Sequence, residues 1–332
     1  MKRYLPLVLL LLTHSSTLAA SDKPRREGKD LVEQAEIRNV FGLPSFEMKA
    51  SVRIDNKGQP LDGSYILLWN GPEQWREEIS LPGYSEVKVG GKGVVSLKRS
   101  TDFMPLQLNP LYQTLSYGRA LATGPEETVK QVHHRNVNGV KVGCAEIAEQ
   151  QYHTTLREVC VDLSTGALVR QPPLLDREMM PIGAKLFPRF LSYVEKGKPL
   201  AEVQVTELKT TEQLPSSGFE PPVGAVSKPG CMSPNTGLLV KKMTPSYPEL
   251  EKRSGHEGTV TMYALIGTDG VPQGLRIVSG VTPGLNKASL DAVQQWRYKP
   301  YTCDGIGAVE VETLIVVNFS LTLPEQNVPL AG

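Results

Sequence analysis

The histidines are the first residues in this sequence that could bind a metal ion. His133 and His134 are adjacent, and His153 follows on a neighbouring predicted strand. Adjacent residues of a strand point to opposite faces of a sheet, so at most one of the pair could face a shared ion. His256 lies in a predicted turn. The pattern predicts solvated histidines and no metal site.

The sequence lacks the short motifs that mark common catalytic centres. Neither Gly-x-Ser-x-Gly nor His-Glu-x-x-His occurs. The run Gly90-Gly91-Lys92-Gly93 has neither the spacing nor the following helix of a phosphate-binding loop, and it predicts a hairpin about Gly90-Gly91 instead. We therefore expect no catalytic residues, no cofactor and no enzymatic activity.

The length and charge narrow the class of protein. The chain has 332 residues, enough for two domains, and a formal net charge of +1. Its basic and acidic residues are mixed along the sequence, which gives no case for nucleic-acid binding. A basic start at residues 1–3, an apolar run at 5–12 and small residues at 17–20 predict a cleaved signal peptide over 1–20. The apolar run is far shorter than the roughly 20 residues of a membrane-spanning helix.

Four cysteines in an exported protein favour disulfides. Cys144 and Cys160 flank a predicted hairpin and form the easiest pair to close, and Cys231 would then pair with Cys303. Free buried thiols are the alternative that the sequence leaves open. A zinc site is disfavoured because there is no Cys-x-x-Cys.

Period-two alternation predicts a long antiparallel sheet over residues 28–213. After a short helix at 29–40, the predicted strands lie at 46–54, 64–70, 75–81, 84–89, 94–99, 128–136, 140–149, 154–163, 167–171, 186–194 and 201–208. Gly58 and Gly63 are predicted to bracket a turn, and a looser pattern at 105–121 predicts a helix that interrupts the strands. Such a sheet predicts a curved half-barrel.

Three stretches of this region resemble the lipoprotein carriers of the LolA/LolB type. They are Gly-Ser-Tyr-Ile-Leu-Leu-Trp at 63–69, Gln-Trp-Arg-Glu-Glu-Ile at 74–79, and the helix at 105–121. The resemblance implies a bent sheet that holds an apolar cavity under helices, and with it a lipid or lipoprotein ligand. A plain antiparallel sheet packed on its own helices is the alternative.

A proline-rich segment at 214–236 predicts a semi-rigid linker to a smaller domain at 237–323. This domain is predicted to contain a short helix, a strand at 259–268, a hairpin turn at Asp269-Gly270 and a returning strand. A helix capped by Asn286 and a final strand at 309–321 follow. The whole chain is therefore predicted to be α+β.

These elements and several short sequence motifs, taken in order, resemble the C-terminal domain of TonB, the energy-transducing protein of Gram-negative envelopes. The matching residues are Tyr247-Pro248, then 257–260 (Glu-Gly-Thr-Val), Asp269-Gly270, and 292–300 (Ala-Val-x-x-Trp-Arg-Tyr-x-Pro). The resemblance implies a small two-layer α/β domain in a periplasmic protein that supports envelope transport. In that family the domain captures an extended segment of an outer-membrane receptor by strand addition.

The resemblance places the final strand at a sheet edge, where one row of backbone groups is unpaired. The predicted peptide-binding residues on this strand are Val311, Thr313, Leu314, Val316 and Asn318. The expected partner is an outer-membrane receptor or another envelope protein. Carriage of a lipid by the half-barrel, a homodimer paired through the same edge, and coverage of the edge by the N-terminal domain are the alternatives.

We expect the mature protein to begin near Ser21 and to fractionate with soluble periplasmic proteins, because the apolar run is short and small residues follow it. Mass spectrometry of the N-terminal peptide after expression in a Gram-negative host checks this. Membrane-bound mature protein that still contains residues 1–20 would contradict it.

Overall fold

The structure is a computed structural model that describes residues 30–31, 43–56, 58–115, 127–149, 155–183, 185–234 and 238–321. The predicted signal peptide, His153 and most of the helix predicted at 29–40 lie outside the described residues. The chain divides into two compact units. The smaller comprises Met1–Ile37 and Ala120–Pro172, and the larger comprises Arg38–Arg119 and Pro173–Gly332. The segment predicted as one domain, 28–213, contributes strands to both units.

The described residues are mostly strands. In chain order the strands are β1 (Phe46–Asn56), β2 (Gln59–Trp69), β3 (Trp75–Leu81), β4 (Tyr84–Gly91), β5 (Val94–Arg99), β6 (Glu127–Val137), β7 (Val140–Glu149), β8 (Thr155–Asp162), β9 (Leu168–Gln171), β10 (Leu174–Ile182), β11 (Lys185–Glu195), β12 (Lys198–Thr210), β13 (Val226–Pro229), β14 (Leu239–Lys241), β15 (Gly258–Ile266), β16 (Pro272–Ser279), β17 (Arg297–Tyr298), β18 (Tyr301–Cys303), β19 (Gly307–Val309) and β20 (Val311–Phe319). The helices are α1 (Asn109–Thr114), α2 (Glu249–Arg253) and α3 (Pro283–Val293).

The larger unit is built on an open, curved sheet with the strand order β13-β5-β4-β3-β2-β1-β12-β11-β10. Strand β1 has one fully buried face because its apolar residues recur at every second position. Leu108 and Leu111, in the 3₁₀ turn before α1 and in α1 itself, pack into the same core. The helix predicted at 105–121 is therefore present in part, and it covers the apolar face of the sheet.

Two glycine predictions were wrong. Gly63 lies inside β2, opposite Val52 of β1, rather than beside a turn. Glycine is required there because a Cβ would lie 2.2 Å from the carbonyl oxygen of Ser80. The hairpin between β4 and β5 turns at Lys92 and Gly93, with φ values of 52° and 77°, and not at Gly90-Gly91. Positive φ at both central residues is the geometry of a type I′ turn.

The segment predicted as a linker, 214–236, contains ordered structure. Phe219 is buried at the end of a 3₁₀ turn (Ser216–Phe219), and β13 pairs antiparallel with β5. The Cys231–Cys303 disulfide then joins this segment to β18. Pairing and a covalent bond therefore restrain the segment more than its proline content alone would.

The smaller unit contains the antiparallel strands β9-β8-β7-β6. Cys144 on β7 lies directly opposite Cys160 on β8, and the two form the predicted disulfide. Apolar residues of four strands and Leu31 fill the core of this unit: Leu31, Val129, Ala145, Ile147, Val159, Val161 and Leu168.

A three-stranded antiparallel sheet with the order β16-β15-β20 forms the C-terminal part of the larger unit. The predicted turn at Asp269-Gly270 joins β15 to β16, and the Asp269 carboxylate accepts a hydrogen bond from the Val271 amide. Helix α3 packs Leu285 and Val293 into the core of this sheet together with Trp296. The predicted cap was wrong: Thr282 caps α3 by accepting from the Leu285 amide, and the helix begins before Asn286.

Gly90 lies directly opposite the buried Trp75 on β3, and a Cβ at Gly90 would lie 2.1 Å from the indole ring. We expect Gly90→Ala to destabilise the protein by about 1–3 kcal/mol, because the packed indole cannot move aside freely. Chemical denaturation measures the change. Gly218→Ala is the control, since its nearest side-chain contact is an ordinary 3.4 Å. Equal stability of the two variants would contradict this reading of Gly90.

Candidate functional site

Strand β20 is an edge strand. It pairs along its whole length with β15, from Val311 opposite Ile266 to Phe319 opposite Gly258. Among the described strands, none pairs with the other side of β20. One row of its backbone N–H and C=O groups is therefore available to an added strand.

The alternation of β20 divides the predicted peptide-binding residues between two faces. Ile315, Val317 and Phe319 are buried in the core under α3, and Val311 and Thr313 belong to the same row and are half-buried. On the opposite row Leu314 is half-buried, Val316 is 53% exposed and Asn318 is exposed. The C-terminal half of β20 therefore presents an apolar and an amide side chain to solvent.

Glu310, which immediately precedes β20, and Glu312 within the strand are both engaged in ion pairs. Glu310 lies 3.0 Å from the ammonium of Lys228 on β13. Glu312 accepts two hydrogen bonds from the Arg99 guanidinium, at 2.6 and 2.7 Å. These carboxylates would otherwise guard an edge against strand addition, but both are paired with cations of the larger sheet.

Arg99 lies between two carboxylates. Its Nε is 2.9 Å from a carboxylate oxygen of Glu86 on β4, and its other guanidinium nitrogens donate to Glu312. The Arg99 side chain is only 6% exposed. Burial pushes the pKa of both carboxyls upward, but the positive charges beside them outweigh burial and hold each pKa below its ordinary value. Both carboxylates are therefore ionised at neutral pH, and one guanidinium joins the large sheet to the edge strand.

Arg99, Glu86 and Glu312 belong to a larger cluster of polar side chains on the inner face of the large sheet. Lys88 lies 2.9 Å from Glu86, and the Tyr84 hydroxyl donates to the same carboxylate. The Tyr84 and Tyr112 hydroxyls lie 2.7 Å apart. Sequence reasoning missed this cluster. A signal was present, because Glu77 occupies an inward position between the apolar residues Trp75 and Ile79 of β3.

A cleft of about 410 Å³ lies against the outward row of β20. One wall is the three-stranded sheet, and the other is α1 and the turn before it. Its lining residues are Lys88, Arg99, Met104, Leu106, Asn109, Tyr112, Gln113, Thr261, Tyr263, Glu312, Thr313, Leu314 and Val316. The rings of Phe103 and Tyr263 are 5.7 Å apart, and the Arg276 guanidinium lies 5.1 Å from the Phe103 ring centre. These contacts hold the two walls together at one end of the sheet.

Two of the described histidines lie beside glutamates. Among the described residues, His133, Cys144 and Glu158 have potential ligand atoms within 4.8 Å of one another. The Cys144 sulfur is bonded to Cys160, however, and a disulfide sulfur is not a thiolate ligand. His133 instead lies 3.3 Å from Glu158, and His256 lies 2.6 Å from Glu251.

In the part of the chain that the structure describes, no helix is long and apolar enough to cross a membrane.

The fold defines a β-rich protein with a small three-stranded sheet in its C-terminal part, and one edge strand of that sheet is unpaired among the described strands. Residues 243–321 match the family described as Gram-negative bacterial TonB protein C-terminal. Protein TonB of Vibrio cholerae serotype O1 is 30% identical over 99 residues, which are 29% of this chain and 40% of that protein. The chain therefore spans less than half of that relative. The TonB resemblance of the C-terminal region is confirmed.

Solved structures of two further proteins are similar to this chain at low identity. A DUF1329 family protein from Desulfovibrio piger is 13% identical with a TM-score of 0.36, covering 59% of this chain and 97% of that one. A LolA superfamily protein from Nitrosomonas europaea is 13% identical with a TM-score of 0.33, covering 58% and 97%.

Replacing Arg99 with Met leaves Glu86 and Glu312 without their shared cation. We expect Arg99→Met to cost about 3–5 kcal/mol at neutral pH, because each carboxylate is then buried with less compensation. The pKa values of both carboxyls are lower in the folded protein than their ordinary values. The stability that the two carboxylates contribute is therefore present above about pH 4.5, and it is lost as the pH falls through the pKa values of the folded state. Denaturation at pH 7 and pH 4 should therefore show a smaller cost at pH 4.

Arg53→Met is the matched control, since Arg53 pairs with Asp62 on the surface and both side chains are more than half exposed. It should change the unfolding midpoint little. A cost of Arg99→Met that is unchanged between the two pH values would contradict the assignment of Arg99 to these carboxylates.

Proposed function

We propose that this protein is a periplasmic TonB-like protein whose C-terminal domain binds extended peptide segments of envelope proteins by strand addition to β20. The observation that most directly supports the proposal is the unpaired edge of β20. One side of β20 is unpaired among the described strands, and its outward row contains the exposed Val316. An added strand would satisfy the free backbone groups and cover this apolar side chain.

The charged side chains near β20 do not block its unpaired edge. Edge strands that avoid association usually present charged side chains or proline to solvent. Here Glu310 and Glu312 are engaged by Lys228 and Arg99, and the remainder of the strand contains neither charge nor proline. Nothing in the second half of β20 therefore repels an incoming backbone.

An N-terminal segment of an outer-membrane receptor is the partner that fits the proposal best. This follows from the match of residues 243–321 to the TonB C-terminal family. The similarity extends over only part of the curated relative, so we propose peptide capture in support of envelope transport and do not extend the proposal to an energy-coupling motor.

The lipid-carrier hypothesis receives no support from the described residues. The apolar face of the large sheet is covered by Leu108, Leu111 and Leu115, each at most 7% exposed. The cavity beside them, of about 160 Å³, is lined by Glu77, Glu86 and Lys88 as well as by apolar residues. Charged groups of this kind do not suit an acyl chain.

Val316→Pro tests strand addition at β20. Proline has no backbone N–H and its ring displaces a neighbouring strand, so we expect at least a tenfold loss of affinity for synthetic receptor segments, measured by fluorescence anisotropy. Val316→Lys keeps the N–H but adds a guarding charge at an exposed position, and it should also weaken binding. Circular dichroism and melting confirm that each variant is folded.

Val278→Pro is the matched control, because Val278 lies on β16, the opposite edge of the same sheet. It should leave peptide affinity unchanged. If folded Val316→Pro binds the segments as tightly as the parent, β20 is not the site. Size-exclusion chromatography distinguishes peptide binding from self-pairing. A dimer that Val316→Pro dissociates and Val278→Pro leaves intact would favour strand exchange between copies of the chain.

A further inference from the structure

An exposed ribbon of apolar and basic residues lies where the C-terminal part of the chain begins. Residues 238–243 (Leu-Leu-Val-Lys-Lys-Met) are all exposed, and they include strand β14. Strand β14 pairs with β17, which contains the exposed Arg297, and the exposed Lys299 follows β17. We propose that this β14 ribbon, residues 238–243 with Arg297 and Lys299, is a docking surface for a membrane that contains anionic phospholipids. The proposal does not rest on strand addition at β20.

The apolar side chains of the β14 ribbon project into solvent as one group. Leu238 and Val240 are 60% and 65% exposed, and Leu239 and Met243 are each 38% exposed. Single exposed apolar residues are common on soluble proteins, whereas a contiguous exposed group marks a surface for a partner or a membrane. Side chains that project this far enter a lipid interface readily, because lipid surrounds them on every exposed side.

Contacts with the core of the small sheet hold the β14 ribbon in place. The Lys299 amide donates to the Leu238 carbonyl at 2.7 Å, and the Trp296 indole N–H donates to the Met243 carbonyl at 2.8 Å. Trp296 is itself buried in the core under α3. Both ends of the ribbon are therefore fixed, and its apolar side chains are exposed on an anchored segment.

The cations of the β14 ribbon lack carboxylate partners. Lys241 lies opposite Arg297 in the register of β14 and β17, and like charges in such a position repel each other. The Lys242 ammonium lies 5.6 Å from the centre of the Trp296 ring. Within the described part of the chain, no ion pair includes Lys241, Lys242, Arg297 or Lys299. A layer of anionic headgroups would relieve the repulsion between Lys241 and Arg297.

Acidic residues of this part of the chain have other partners. Four of them form ion pairs with cations outside the ribbon: Glu251, Asp291, Glu310 and Glu312. Asp269 belongs to the turn whose Gly270 carbonyl accepts from the Tyr298 amide, and its carboxylate accepts from the Val271 amide. Even with Asp269 counted against the four cations of the ribbon, a net positive charge remains.

A lipid surface fits this combination of side chains better than an acidic peptide does. It offers many negative charges in one plane with an apolar layer beneath them, and interfacial binding gains from both. Lysine and arginine stems lie along apolar surface while their charged ends stay among the headgroups. The β14 ribbon presents its cations and its aliphatic side chains within a few residues of each other, which matches the thickness of such an interface.

Co-sedimentation with lipid vesicles tests the proposal on the chain of residues 21–332. Vesicles of phosphatidylcholine are compared with vesicles of phosphatidylcholine and phosphatidylglycerol in equal parts. Each lysine or arginine near an anionic surface contributes on the order of fivefold in affinity. We therefore expect at least tenfold tighter binding to the anionic vesicles, and we expect this difference to shrink as the salt concentration is raised.

Two substitutions in the β14 ribbon should weaken binding for different reasons. Lys241→Gln should reduce the affinity for anionic vesicles about fivefold, because one cation is lost. Val240→Ser should also reduce it severalfold, because less apolar surface leaves water on docking. Both side chains are exposed, so both variants should fold, and circular dichroism checks this.

The matched controls change the same residue types at exposed positions outside the ribbon. Lys196→Gln lies in the turn between β11 and β12, and Val223→Ser lies before β13, where Val223 is 92% exposed. Both should bind anionic vesicles as tightly as the parent.

Equal binding to neutral and anionic vesicles would overturn the proposal. So would binding to anionic vesicles that folded Lys241→Gln and Val240→Ser leave unchanged. Binding of soluble poly-glutamate that Lys241→Gln weakens, with no binding of the parent to vesicles, would overturn it in favour of an acidic protein segment. Val316→Pro should bind vesicles as the parent does, so failure of peptide capture at β20 and failure of membrane docking are separate results.

Discussion

The arrangement of the larger unit depends on one buried cation. Arg99 ends β5 of the large sheet, contacts Glu86 on β4 and binds Glu312 on the edge strand of the three-stranded sheet. A guanidinium can serve two carboxylates at once because its five donors lie in a fixed plane. Removal of water from such a cluster is costly unless every charge has a partner. The position of β20 against the large sheet is therefore tied to charge balance as well as to apolar packing.

This charge balance also decides what the inner face of the large sheet can hold. The inward row of β3 is apolar except for Glu77, but the row of β4 that lies opposite it consists of Tyr84, Glu86, Lys88 and Gly90. Tyrosine hydroxyls at Tyr65 and Tyr84 donate to the two glutamates. The outcome is a hydrogen-bonded polar cluster beside an apolar core, which fits a peptide with mixed side chains better than it fits a lipid.

Local patterns predicted much of the fold and little of the cleft. The strands, the Asp269-Gly270 turn and the burial of Trp296 follow from neighbouring residues. Strand β10 was missed because it contains Pro181 and charged residues, and β13 was missed because it lies in a proline-rich segment. Strand β10 forms a hairpin with the next strand, β11, whereas β13 pairs with β5, which is distant in sequence. The contact of Arg99 with Glu312 spans 213 positions, and no local pattern contains it.

The two halves of β20 differ in solvent exposure because the Arg99–Glu312 ion pair engages only the N-terminal half. The N-terminal half is tied to the larger sheet through Glu312, and there the outward row is half-buried. The C-terminal half lies beyond the ion pair, and there Val316 and Asn318 are exposed while Val317 and Phe319 keep the strand anchored in the core. An added strand can therefore begin at the open half without disturbing the core. The ion pair that positions β20 therefore leaves its C-terminal half as the part most open to solvent.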